Sequence, residues 1–317
     1  MSVAVTQPVR PPAPVAPLSD AGRRYARRKA LRPYLILAPA LLISIGILIP
    51  FVRAIIDSFT SLDLRGTAPA WIGFDNFVDT FTDDRFWHSV TITAWYALFA
   101  TGTEMLLGIV IALLLNEENW VSKAFRTVFI FPLMIAPVIG ALIWKLMTNP
   151  SVGILRYPLG WIGLGEFRWS ADPQWALFTV VLIDVWIYTP FVIILVLAGL
   201  RSLPKSPYEA ALIDGGSASF VFWNLTLPML KPVLFIALVF RLMTSLQEFG
   251  IIYAMTEGGP GDRTLNLAIG AYNKVFQDYD LAGSIPQLLF LWACIYAICF
   301  FLIGLWRKAQ KASSGVA

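Results

Sequence analysis

The sequence predicts an all-α polytopic membrane protein with six transmembrane helices. Two observations carry that prediction. Of 317 residues, 57% are hydrophobic and only 14% are charged, whereas about a quarter of a soluble domain is charged. In addition, six apolar windows are each long enough to cross hydrocarbon about 30 Å thick, which takes roughly 20 residues. An open sheet edge would stay unsatisfied in lipid, so these spans are read as helices, whose backbone bonds close within the segment.

The windows are Leu35–Ile56, Val90–Leu115, Val128–Met147, Trp175–Leu200, Leu230–Met255 and Ile285–Trp306. The first is longer than the apolar core of about 7–15 residues in a cleaved signal, and it ends in Pro50-Phe51-Val52-Arg53 without a small-residue cleavage site. It reads as a retained helix. Residues 1–33 before it are Pro- and Arg-rich without apolar periodicity and are predicted to be a disordered basic tail. Residues 34–308 form the membrane domain, and 309–317 a short C-terminal tail. Basic residues set the orientation. Arg23, Arg24, Arg27, Arg28, Lys29 and Arg32 precede the first window; Lys123 and Arg126, then Arg201, Lys205 and Lys231, fall on the same side, as do Arg307, Lys308 and Lys311. Acids such as Asp75, Asp79, Asp83, Asp84, Asp278 and Asp280 fall on the other. Both termini are therefore expected in the cytoplasm. The net charge of +4 reflects this asymmetry and gives no reason to expect nucleic acid as a partner.

Several chemistries lack their residues. The chain has no G-x-x-x-x-G-K-[ST] phosphate loop, no G-x-S-x-G and no H-E-x-x-H, so it is not expected to hydrolyse ATP itself or to be an enzyme. Cys294 and Cys299 lie five apart in the last window, off one another's face, and read as small packing residues. The single His88 sits at a membrane boundary and reads as structural. No metal site is expected.

The connection between the fourth and fifth windows is the most informative segment. Ser206-Pro207-Tyr208-Glu209 is a helix start: Ser206 is placed to cap, Pro207 suits the first helical position, and Glu209 can close a capping box. Ala210, Ala211, Leu212 and Ile213 continue the helix, and Asp214-Gly215-Gly216 stops it, since glycine takes the left-handed conformation at little cost. A second short helix is expected from Ser217 or Ser219, carrying Phe220, Phe222 and Trp223, with Pro228 opening the fifth span. On the cap alone this is an interfacial hairpin. Its small Ala face and aromatic tip also suit a docking element.

Glu209-Ala210-Ala211, then Asp214-Gly215, Phe220 and Leu227-Pro228, resemble the signature of ABC importer permeases, E-A-A-x-x-D-G-A followed by an aromatic and L-P. Gly216 departs from it, standing where the family usually has Ala. Trp71-Ile72-Gly73-Phe74-Asp75-Asn76-Phe77 is similar to the first outer loop of the binding-protein-dependent sugar branch. Phe125-Arg126-Thr127, Phe131-Pro132, Ala136-Pro137 and Asn149-Pro150 are similar to its third helix and exit, and Gly258-Gly259-Pro260 to the maltose-permease F type. The basic Pro-rich tail points toward the trehalose importers of actinobacteria.

The resemblance implies a type I ABC importer permease fold in a bacterial plasma membrane, carrying a di- or oligosaccharide such as trehalose. It implies that the loop at about 201–228 inserts into an ATPase subunit, with Glu209, Ala210, Ala211, Asp214, Gly215, Phe220 and Pro228 as coupling positions. The implied partners are a second homologous permease, two ATPase subunits that bind ATP and magnesium, and an external sugar-binding protein. No cofactor is expected in this chain.

Glu104, Asp184, Arg241 and Glu248 lie deep in apolar windows, where a charge costs about 2.5–3.5 kcal/mol on insertion scales and so faces a cavity, a partner or another charge. Arg241, Thr244, Ser245 and Glu248 share one helix face, and Asp184 and Tyr188 lie at similar depth on the antiparallel fourth helix. Asp184, Tyr188, Arg241, Ser245 and Glu248 form the candidate substrate site: hydroxyls need donors and acceptors, and sugar rings need aromatic faces. In the resembling family, contacts come largely from these two helices. A structural ion-pair network, Arg241 with Glu248 or Asp184, is the competing reading, and Glu104 is read as structural. Two other function classes remain: a proton-coupled secondary carrier titrating Glu104, Asp184 and Glu248, and an intramembrane enzyme, for which no nucleophile or metal constellation is present.

Overall fold

A computed structural model describes residues 20–117, 119–163 and 165–313. Helix α1 (Asp20–Asp57) carries the first window and contains Pro33, Pro39 and Pro50. The most apolar 18-residue window of its stretch Ile36–Asp57 has no buried residue, and Asp57 at its end is buried. The helix begins at Asp20, so the tail boundary expected at residue 33 falls inside it. Residues 1–19 of the expected tail lie outside the described residues.

From Ile56 onward the chain forms a second compact unit. An isolated antiparallel bridge joins Thr60 to Trp71, and the Phe59 ring stacks on Trp71 at 5.6 Å and meets Phe74 edge-on at 5.2 Å. These rings lead into α2 (Asp75–Thr82) and α3 (Asp84–Leu114). Asp83 caps α3 by accepting from the Arg85 amide. α4 (Trp120–Ile130) starts at Asn119, whose side chain accepts from the Ser122 amide at 2.7 Å.

The third window is not one helix. α4 passes through a 3-10 turn, Phe131–Met134, into α5 (Pro137–Met147), and the two halves bend by 99°. Pro132 and Pro137 have no N–H to donate, and each restricts the residue before it; Ala136 accordingly adopts ψ 131°. The short α6 (Arg156–Gly160) precedes α7 (Ala176–Ser202), the most deeply buried span.

After α7 come α8 (Ser206–Ile213), α9 (Ala218–Val221), a π-helical turn Phe222–Thr226, and α10 (Leu227–Leu246). The fifth window also breaks: α10 stops at Leu246 and α11 (Gly250–Thr256) begins after Gln247-Glu248-Phe249. The Glu248 carboxylate accepts from the Ile251 amide at 2.8 Å, capping α11, where an anion also complements the helix dipole. α12 (Leu267–Phe276) and α13 (Leu281–Ser313) follow, and α13 runs past residue 309, where the tail was expected to begin, as far as the described residues go. Among the described residues, five helices are long and apolar enough to span a membrane, and the α4–α5 pair makes up to six.

The core lies between α3, α7 and α10. α3 turns small and polar residues inward: Ala97, Ala100, Thr101, Glu104, Gly108 and Ala112 are all buried. A Cβ on Gly108 would stand 2.5 Å from Val192 Cγ1, so only glycine allows α3 and α7 to pack this closely. Above this contact, Tyr96, Val180, Ile183, Ile187, Ile251 and Ile252 form one apolar cluster; below it, Ala112, Val192, Ile193, Val196 and Leu230 form another.

Candidate functional site

The exposed element between α7 and α10 folds largely as its residues dictate. α8 ends at Asp214, and Gly215 takes φ +71°, which lets the Gly216 amide return to the Ala211 carbonyl at 2.8 Å. Ser217 then caps α9 by accepting from the Phe220 amide at 3.2 Å. The expected capping box at the start of α8 does not form. Lys205 occupies the cap position in a helical conformation and no side chain closes it, because the chain enters α8 already turned.

Ala210, Ala211, Asp214, Gly215 and Phe220 line one concavity of about 700 Å³, and Glu209 lines a separate one on the α7 side of α8 with Arg201, Lys205 and Tyr208. Leu212, Ile213 and Phe220 are 81%, 86% and 53% exposed at the tip. Tyr208 bonds Thr226 at 3.1 Å, tying α8 to the π turn. Pro228 sits in the first turn of α10, as expected.

The second feature is a buried polar cluster centred on Arg241. Its guanidinium grips both carboxylate oxygens of Glu104, through Nε to Oε2 and through Nη2 to Oε1 at 2.7 Å. Nη2 also reaches Asp184 Oδ2 at 2.8 Å and Ser245 Oγ at 3.0 Å, and Nη1 reaches Thr244 Oγ1 at 2.6 Å. The Tyr188 ring lies 4.1 Å from Cζ, a cation–π contact. Thr101 donates to Ser245 Oγ at 3.2 Å. The Arg241, Glu104 and Asp184 side chains are 2%, 0% and 0% exposed. Three spans therefore meet at one cation facing two carboxylates.

Of the sequence-predicted substrate residues, Asp184, Tyr188, Arg241 and Ser245 come together. Glu248 is close enough to Asp184 and Arg241 to interact electrostatically with them, but its hydrogen bonds go elsewhere: its carboxylate accepts from the Ile251 amide, and its carbonyl accepts from the Asn266 side-chain amide. The partner that sequence reasoning set aside is Glu104, which holds Arg241 bidentately. Its signal was the inward stripe of α3, where Thr101, Glu104 and Gly108 follow helical spacing. Tyr96 was also missed. It lies beside Asp184, and neither Tyr96 Oη nor Asp184 Oδ1 has a hydrogen-bond partner among the described residues. His88 Nε2 meets the Asp262 carbonyl at 2.9 Å, and Cys294 and Cys299 are free thiols.

Apolar spans around a buried polar cluster, with an exposed helical hairpin between two of them, define a transport permease. The chain belongs to the family of binding-protein-dependent transport system inner membrane components, which residues 104–311 match. It is 36% identical over 239 residues to a trehalose/maltose transport system permease protein of Thermococcus litoralis, covering 75% of this chain and 81% of that protein. It is 33% identical to a sulfoquinovosyl glycerol transport system permease protein of Agrobacterium fabrum, covering 85% of this chain and 89% of that one. The fold is shared with a bacterial alginate ABC transporter solved in complex with an alginate pentasaccharide-bound periplasmic protein: TM-score 0.77, 22% identity, 91% of this chain and 98% of the other.

Proposed function

We propose that this chain is the membrane-spanning permease subunit of an ATP-driven importer that carries a di- or oligosaccharide of the trehalose class. It works with a second homologous permease, two ATPase subunits that bind ATP and magnesium, and an external binding protein that delivers the sugar. Both termini lie in the cytoplasm, where the basic residues gather. The observation that carries this reading is the α8–α9 hairpin: a glycine turn beside a concavity, on a connection that leaves Leu212, Ile213 and Phe220 exposed while Ala211 alone of α8 is buried. Exposed apolar groups gathered on one short element are what a partner surface buries. The family membership and the carbohydrate relatives support the same reading.

In this scheme Glu209, Ala210, Ala211, Asp214, Gly215, Phe220 and Pro228 form the ATPase-docking element. The sugar passes along the face of α10 that leaves Phe240 and Thr244 exposed, with Tyr188, Ser245 and Glu248 nearby. Arg241 is held by Glu104 and by one oxygen of Asp184, so its part is to hold Thr244, Ser245 and Tyr188 in place, while the second Asp184 oxygen stays free to accept.

Gly215 gives the test. Nothing lies within 4 Å of where its Cβ would be, so the first atom of a side chain there meets no other part of this chain. The position does require φ +71°, which Asn tolerates. Purified from its native membrane in mild detergent, Gly215→Asn is expected to retain the ATPase. Gly215→Trp is expected to lose it while keeping the second permease. A Gly215→Trp complex with its full complement of ATPase would sink the docking assignment.

A further inference from the structure

Beyond the Arg241 cluster, four aromatic rings stand together on the segments that follow α10. α11 buries Ile251, Ile252, Ala254 and Met255, and α12 buries Leu267, Ile269, Ala271 and Asn273. Their other faces bring together Phe249, Tyr253, Tyr272 and Phe276. Phe249 stacks on Tyr253 with centroids 5.1 Å apart and planes 15° from parallel. Tyr272 lies 5.2 Å from Phe249, 5.0 Å from Tyr253 and 4.6 Å from Phe276. The two phenol oxygens are 3.2 Å apart. Tyr253 and Phe276 are exposed, and Phe249 and Tyr272 are half-buried.

Two properties of this strip point to a carbohydrate. It combines flat apolar faces with a pair of hydroxyls, and a sugar ring is likewise apolar on its C–H faces and polar at its rim. It is also continuous with the polar machinery already described. Phe249 directly follows Glu248, and the Asn266 bond to the Glu248 carbonyl fixes the start of α12 against the end of α10. Along the chain the strip thus begins three residues after the end of α10, on which Phe240 and Thr244 are exposed.

We propose that Phe249, Tyr253, Tyr272 and Phe276 form a stacking surface for the sugar, leading between the outer side and the Thr244–Tyr188 region. This rests on the sugar-importer reading above. The competing occupants of such a strip are lipid, as in an interfacial aromatic belt, and the second permease, and the test below separates them from the sugar.

The test uses the whole importer in proteoliposomes with its loaded binding protein and radiolabelled trehalose. ATP-driven uptake by the wild type is read first, and its absence would overturn the sugar reading itself. With uptake established, Tyr253→Leu and Tyr272→Leu are expected to lower uptake at sub-saturating sugar about fivefold while ATP hydrolysis persists, and Tyr272→Phe to keep most of it. Uptake by both Leu variants within about twofold of wild type would overturn the strip. A second measurement does not depend on those variants. Tyr253→Cys, in a chain with Cys294→Ser and Cys299→Ser, is expected to react with a charged methanethiosulfonate and to be protected by trehalose. A thiol inert to that reagent would place the strip against lipid or a partner helix and overturn the proposal.

Discussion

Replacing Arg241 with Met removes the one cation shared by Glu104 and Asp184, and the structure sets the size of the effect. Hydrogen bonds to charged groups contribute about 1.5–3 kcal/mol each, and Arg241 makes two to Glu104 and one to Asp184. Those figures are not the expected loss, because the guanidinium is itself desolvated in the cluster. What the variant measures is the cost of leaving two fully buried carboxylates unpaired. Breaking a buried pair from one side costs about 3–5 kcal/mol. For a chain of this size that corresponds to a fall in thermal midpoint on the order of 10 °C. The assay is heating the assembled complex in nanodiscs and measuring the fraction that still elutes intact. The control is Arg241→Met with Glu104→Leu and Asp184→Leu, which replaces all three charges by apolar groups. Such exchanges are often neutral or stabilising, so the triple variant is expected to recover most of the lost stability. Wild-type stability in the single variant, or no recovery in the triple, would refute the electrostatic account. Sugar uptake by the stable triple variant is expected to fall, and unchanged uptake would remove Asp184 and Arg241 from the substrate site.

Two further perturbations follow from the packing. Gly108→Ala is expected to destabilise the chain by about 1–3 kcal/mol through overpacking, since its Cβ would lie 2.5 Å from Val192 Cγ1; Val192→Ala should restore it in the same heating assay. Ser217→Ala removes the α9 cap and should cost the hairpin about 1 kcal/mol, read as weaker retention of the ATPase with unchanged thermal stability of the membrane core.

Much of the fold was legible because a span depends on composition over a long window. Local chemistry then decided where that legibility stopped. Pro132 and Pro137 lie inside an apolar run that passes every length test, so the run predicts one helix, while their missing donors produce a 99° bend. Leu230–Met255 reads as one span for the same reason, but Glu248 turns back to cap the next helix and ends α10 early. In α8 the capping-box residues are present and unused, because Lys205 enters the helix first and the box requires an extended Ser206. The hairpin beyond it was readable almost residue by residue, since a glycine turn and a serine cap are decided within a few positions. The Arg241 cluster was readable in part. Helical spacing gathers Arg241, Thr244 and Ser245 on one face, but the choice of Glu104 over Glu248 depends on how three helices meet, which no single-helix pattern encodes.

The same geometry constrains how motion could pass through the subunit. From Ala218 to Leu246 the backbone is helical without a gap, so the hairpin tip and the middle of the membrane lie on one rod. The π turn at Phe222–Thr226 and Pro232 are its soft points near the hairpin end. Farther along, Arg241 ties that rod to α3 through Glu104 and to α7 through Asp184, and Gly108 holds α3 against α7 too closely for independent sliding. A displacement delivered at α8–α9 therefore cannot slip α10 past its neighbours without breaking buried charge pairs. It has to move the three helices together. Beyond the cluster, the first place the rod is free to yield is the break at Gln247-Glu248-Phe249, where the aromatic strip begins. On the proposed function, the buried cluster is the mechanical link that makes hydrolysis at one end of α10 felt by a sugar at the other, which is why its charges can be essential to transport even where they pair with one another.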